Sequence, residues 1–344
     1  MSQLRSFFSC YLVIAIIVGT AHSIDGQGTL ARKPLYRDPI YNGAADPVVV
    51  WNPKRSSWWM FYTNRRANVP GLSGVAWVHG SPIGIAESRD GGGSWKYIGT
   101  AEIMLPAAFG KNSATFWAPD VIRGDDGKWH MFLTVVPGIF EDWQHPRDIV
   151  QLESRDLRKW KYLQKLKLSS DRVIDPSIMK LPGVGWRLWY NNERDKKSIY
   201  YADSPDMKTW TDHGKAVGDK PGEGPKVFRW KNKFWLIDDQ WKGLGVYRSD
   251  DAKNWEPQNS NLVSTPGKGE DDQVIGQHPD VVVSGDRAFL FYFTHPGRWP
   301  EDPVKTEAET RRSSIQVCEL KMREGWLTCD RDAQTYIDLR PPQP

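Results

Sequence analysis

The chain has 344 residues, a formal net charge of +4 and 18 tryptophans in an otherwise polar composition. Its basic residues are scattered rather than gathered into a stripe, which excludes nucleic acid as the indicated partner. A polar chain rich in tryptophan suits a sugar-handling protein, because indole faces stack on the C–H faces of sugars while polar groups bond the hydroxyls.

In chain order, the first 23 residues, MSQLRSFFSCYLVIAIIVGTAHS, combine Arg5, an apolar stretch from Phe7 to Ala21, and small residues at Ala21 and Ser23. This is the pattern of a secretory signal peptide. The apolar stretch is shorter than the ~20 residues of a membrane span, and Ser9 and Cys10 interrupt it. The expectation is cleavage after residue 23, a secreted or periplasmic protein of net charge +3 once Arg5 is lost, and no membrane association afterwards. Residues 24–40 read as an N-terminal arm, and 41–340 as one domain.

Four related turns follow: SRDGGGSW at 88–95, SRDLRKW at 154–160, SPDMKTW at 204–210 and SDDAKNW at 249–255. Each places an aspartate two residues after a serine, so both side chains can bond the local backbone, with a tryptophan opening the next strand. Upstream lie alternating apolar runs such as WWMFYT, WHMFLTVV, WRLWYN and KFWLID, and the serines step by 66, 50 and 45 residues. That period fits the four-stranded blade of a β-propeller. A last unit, DVVVSGDRAFLFYFTHP with SSIQVCEL and WLTCD, has the strands without the Ser-x-Asp-Trp turn. The fold expected is all-β: a five-bladed β-propeller with four-stranded blades around a central channel. Cys318 and Cys329 face each other across a hairpin, a cross-strand disulfide in an exported protein.

The first strand of each unit begins AADPVVV, WAPDVI, IDPSIM, EGPKVF or QHPDVVV. A residue ahead of the innermost strand sits at the channel mouth, which presents Asp46, Asp120, Asp175, Glu223, and His278 with Asp280. Each entrance carries a proline, whose fixed φ and missing N–H suit a strand start. Carboxylates converging on one funnel repel, which raises at least one pKa, and glycoside hydrolysis uses such a division between an acid and a base.

This ordered set of entrances resembles glycoside hydrolase family 43, five-bladed propellers that mostly invert and often act on arabinofuranosides or xylosides. The resemblance spans the mature chain. It implies that Asp46 is the base that activates water, Asp175 the auxiliary aspartate that tunes the acid, and Glu223 the general acid. It also implies that His278 reaches the central channel, bonded to the sugar site or, through water, to a structural calcium ion, although no cofactor is required. Arg298, in THPGR, is similar to a substrate-contacting arginine, and Trp117 is a stacking candidate. Arg65 is placed to bond a sugar hydroxyl or a carboxylate, and Asp120 to face the substrate. The partner expected is an oligosaccharide of plant or algal origin.

The long loops 65–82 and 296–312 wall one end of the channel in this reading, which favours removal of a terminal sugar. Related propellers act on galactofuranose, galactan or anhydrogalactose oligosaccharides, and a glycan-binding propeller without activity is a further alternative. A retaining fructan-type propeller would carry Asn-Asp-Pro-Asn and Glu-Cys where this chain has AADPVV and EGP. The acidic stretch GEDD, 269–272, reads as a solvated loop.

Overall fold

A computed structural model describes residues 28–110, 113–298 and 305–342. The signal segment 1–23, with Cys10, lies outside the described residues. Five antiparallel sheets form the propeller, each from one contiguous stretch of chain. Their innermost strands are Ala44–Asn52, Thr115–Arg123, Val173–Leu181, Glu223–Trp230 and Gln277–Ser284, and each touches its two neighbours around the channel. Blade 2 departs from the expected four strands, because Glu102–Met104, in the connection from blade 1, adds in parallel to its outer edge at Lys159–Lys165.

The repeated turns do what their composition requires. Asp156 Oδ1 accepts the backbone N–H groups of Arg158 and Lys159, and Asp251 Oδ1 those of Lys253 and Asn254. The tryptophan that follows reaches back to an aromatic ring on the second strand of the preceding blade. Trp160 meets Phe61 with ring centroids 6.0 Å apart, Trp210 meets Phe132 at 5.4 Å, Trp255 meets Trp189 at 6.3 Å, and Trp95 closes the ring onto Phe291 at 6.4 Å, all edge-to-face. Blade 5 lacks the serine-aspartate turn yet keeps the contact, with Trp326 on Trp235 at 6.5 Å. These contacts engage seven of the 18 tryptophans and bury a large apolar area at each seam.

Both terminal arms lie at the junction of blades 5 and 1. Thr29–Leu30 pairs antiparallel with Tyr336–Ile337, and Trp58 of blade 1 donates its indole N–H to the Leu339 carbonyl at 2.8 Å. Neither arm completes a blade. In blade 5, Cys318 and Cys329 are free thiols rather than the expected disulfide, although they sit close enough to hydrogen-bond. The GEDD loop is pinned to the protein by arginines: Arg37 bonds Glu270 and Asp271 at 2.7 Å each, and Arg331 bonds Asp272. Among the described residues, no helix is long and apolar enough to cross a membrane.

Candidate active site

All five innermost strands carry a β-bulge at the same point, where the pairing register shifts. In each, the residue just before the proline has positive φ: Asp46 at 51°, Ala118 at 41°, Asp175 at 58°, Gly224 at 56° and His278 at 41°. A left-handed residue is costly outside glycine, so the surrounding structure must hold it. At three of the five, a side chain on the second strand of the preceding blade does so. Thr63 Oγ1 accepts the Ala118 N–H at 2.8 Å, Thr134 Oγ1 the Asp175 N–H at 2.9 Å, and Asp239 Oδ2 the His278 N–H at 3.3 Å.

The bulge sorts the entrance residues into tiers. Asp46, Asp175 and His278 occupy the left-handed position, Glu223 immediately precedes it, and all four line a pocket of about 550 Å³ at the channel mouth. Asp120 and Asp280 stand two residues beyond the left-handed position, one tier deeper, and do not line that pocket. The expectation that Asp120 faces the substrate is thus corrected. It is buried, accepting the backbone N–H of Ile178 at 2.7 Å and an ion pair from Lys226 at 3.2 Å. A reading that aligns the entrances by their first acidic residue merges the two tiers, since only the bulge separates them.

The three upper carboxylates have different surroundings. Arg65 donates to both oxygens of Asp46, at 3.0 and 3.2 Å, and His278 Nδ1 lies 3.4 Å from Asp46 Oδ1. Burial pushes the Asp46 carboxyl up, but Arg65, His278 and the Thr63 hydroxyl outweigh it and hold the group below its ordinary range. Asp175 goes the opposite way. Burial, then the charges of Glu223 and Asp46, drive it well above the carboxylate range, although the Gly224 N–H donates to it at 3.0 Å. Glu223 is more open and accepts from Lys197 Nζ at 2.7 Å. The surroundings therefore favour the ionised form at Asp46 and the protonated form at Asp175.

The two glycines around Glu223 have separate causes. A Cβ on Gly222 would stand 2.1 Å from the Asp238 carboxylate, and one on Gly224 would stand 2.6 Å from the His278 ring. Next to Glu223 in the ladder, buried Asp239 is pushed up to about 8 by burial and by the Glu223 charge. His278 is held below its usual value by burial, against the pull of Asp46 and Glu223.

Of the other expected residues, Arg65 serves Asp46 and stacks over Phe293 at 4.8 Å, so its first partner is the protein's own carboxylate. Arg298 lines the pocket, donates to the Thr310 carbonyl at 3.2 Å, and is lowered to about 10 by burial and by Arg65. Trp117 lines the pocket with its N–H committed to the Val78 carbonyl at 2.7 Å and Arg147 over its ring. Loop 65–82 supplies Trp77 and Val78 to the wall and is tied to the loop of Trp143, Gln144 and Arg147, where Val75 N–H bonds the Glu141 carbonyl at 3.0 Å. Residues that sequence reasoning missed include Lys197 and Glu193, in the tight turn NNERDKKS, and Trp241 beneath Lys197 at 4.9 Å. They sit in connections outside the repeat, so no periodicity marks them.

The sequence matches no protein-family model and no curated protein. The fold matches solved propellers. A thermostable family-43 glycoside hydrolase is 18% identical, with 90% of this chain and 98% of that one covered at a TM-score of 0.63. An α-L-arabinofuranosidase from Lactobacillus brevis is 15% identical, with 90% and 97% covered at 0.59. A β-xylosidase/α-arabinofuranosidase from a compost microbial metagenome, solved with xylotriose in a calcium-free form, is 14% identical, with 90% and 99% covered at 0.61. At these identities the likeness is one of fold.

A calcium ion in the channel would need several oxygen ligands free to turn toward it. Among the described residues, no group of three or more His, Cys, Asp or Glu side chains is arranged to hold one. His278 has Asp46 at its Nδ1, and the nearest deeper carboxylates, Asp120 and Asp280, are already paired with the Lys226 ammonium at 3.2 and 2.8 Å. This donor set does not fit the expected calcium.

Proposed function

We propose that this protein is a secreted glycoside hydrolase that removes a terminal sugar from an oligosaccharide with inversion, arabinofuranosyl or xylosyl being the favoured sugar. The observation that carries the reading is the convergence of three carboxylates with different surroundings in one pocket: Asp46 bonded by Arg65, and Asp175, pushed upward by burial and by the Glu223 and Asp46 charges, beside Glu223. Asp46 acts as base on a water, Glu223 donates a proton to the leaving oxygen, and Asp175 tunes that acid. Inversion needs the base and acid carboxyls about 6.5–9.5 Å apart, with room for the water between. Lys197 Nζ, 2.7 Å from Glu223 and 3.1 Å from Glu193, holds the acid's carboxyl in place. The pocket walls from loop 65–82 and from Trp143 and Arg147 support exo action, and the structural neighbours described as arabinofuranosidase and xylosidase support the sugar class.

The test is hydrolysis of a panel of aryl arabinofuranosides, xylosides, galactofuranosides and galactosides, each positive repeated with a natural disaccharide, for wild type and Glu223→Ala. The variant is expected to lose about 10²–10⁴-fold on the disaccharide and less on an activated aryl leaving group, as for loss of a general acid. NMR of the first-formed anomer reads inversion directly. Oligosaccharide binding without turnover in the wild type would favour a glycan-binding propeller instead. Secretion is part of the proposal, and mass spectrometry of the exported protein should give an N-terminus at Ile24.

A further inference from the structure

The second tier of the channel contains a cation that belongs to the chain. Counting two residues past each left-handed position gives Val48, Asp120, Ser177, Lys226 and Asp280, one from every blade. Lys226 extends from blade 4 to Asp120 of blade 2 at 3.2 Å and to Asp280 of blade 5 at 2.8 Å. Both aspartates are almost fully buried, with side chains 6% and 2% exposed, and the Lys226 side chain is 16% exposed. Their other oxygens hold neighbouring blades. Asp120 Oδ2 accepts the Ile178 N–H of blade 3 at 2.7 Å, and Asp280 Oδ2 accepts the Val49 N–H of blade 1 at 2.9 Å. Ser177 Oγ accepts the Val227 N–H at 3.0 Å, next to the lysine in sequence.

Every blade thus contributes a backbone or side-chain group to one buried polar layer, with the ammonium at its centre. Two buried carboxylates need countercharge, because an ionised group taken out of water without one is strongly penalised. Apart from Lys226, no hydrogen-bond donor is aimed at Asp280 Oδ1 among the described residues, so the ammonium 2.8 Å away is its countercharge. A divalent ion in this layer would meet a fixed positive charge and carboxylates already committed to it. Like charges at such range in a buried site repel strongly.

We infer that Lys226 is the built-in channel cation of this propeller, tying blades 2, 4 and 5 through Asp120 and Asp280 in place of a bound metal ion. The carboxylate tier above it is then held without metal. A lysine provides this permanently, since its charge travels with the strand that also carries Glu223.

The experiment is thermal unfolding of the wild type and of Lys226→Met, each in EDTA and in excess calcium, with tryptophan-sensitised terbium luminescence as the direct probe of ion binding. The wild-type Tm is expected to be the same in EDTA and in calcium, with no sensitised terbium signal. Lys226→Met, which keeps the apolar stem and removes the charge, is expected to melt several degrees lower. A wild-type Tm that falls in EDTA and recovers by about 2 °C or more on adding calcium overturns the inference. So does a Lys226→Met protein as stable as the wild type in EDTA. Should that variant not accumulate, the wild-type titration decides alone, and Lys226→Arg, which keeps the charge, is expected to fold. None of these readouts involves sugar hydrolysis, so they stand apart from the test of the enzymatic reading.

Discussion

Lys197 Nζ bonds Glu223 Oε2 at 2.7 Å and Glu193 Oε1 at 3.1 Å, so one ammonium is shared between the proposed acid and a carboxylate on its own hairpin. The same ammonium lies over the Trp241 ring at 4.9 Å, so the lysine that holds the Glu223 carboxyl is itself held in the pocket wall.

Replacing Lys197 by methionine keeps the apolar stem over Trp241 and removes the bond that positions Glu223. On a natural disaccharide kcat is expected to fall by about 10²-fold, the scale of a misplaced catalytic group, with KM little changed. Steady-state kinetics of the variant read this, and a kcat equal to that of the wild type removes Lys197 from the positioning of the acid.

Arg65 acts on the base. Its guanidinium helps hold Asp46 below the ordinary carboxylate range, so Arg65→Met should raise that pKa. The base must be ionised to work, and the acidic limb of kcat/KM therefore moves to higher pH while the alkaline limb holds. An unchanged acidic limb would mean that another group sets the base.

A separate carboxylate reports on stability. Burial pushes Asp238 up to about 7, and among the described residues its Oδ2 has no hydrogen-bond partner. A group whose pKa is raised on folding contributes stability that is complete below its unfolded value and is lost as pH rises through the folded one. Wild-type stability, measured by urea unfolding, is expected to fall between about pH 4 and about pH 7 relative to Asp238→Asn, and to run parallel to it above that window. A constant difference across the window would mean that Asp238 is ionised throughout.

The inter-blade tryptophans should carry much of the stability. Trp160 is fully buried against Phe61, and Trp160→Ala is expected to cost about 3–5 kcal/mol, the range for deleting a large aromatic from a core. Trp95, only partly buried in the same role, should cost less. Denaturant midpoints at constant slope measure both, and equal losses would argue against burial as the cause.

The propeller was legible in the sequence because each blade repeats the same local chemistry. The serine and aspartate of each turn bond their own backbone, and the tryptophan position recurs even where that turn is missing, as at Trp326. The entrances were legible through their prolines. Their depth was not, because the left-handed residue at each bulge decides which side chain reaches the pocket, and a two-residue offset placed Asp120 beside Lys226 instead of beside Glu223. Lys197, Glu193 and Trp241 were invisible for another reason. They sit in the connections between strands, which carry no part of the repeat.

Because every blade is one contiguous segment and the arms pair with each other and with the strands and turns of blades 5 and 1, closure of the ring needs no strand shared between blades. The order in which the blades are strung together is then a matter of where the polymer happens to be cut. A circular permutant, with the arms fused and the chain opened at another blade boundary, should rebuild the same ring and the same mouth.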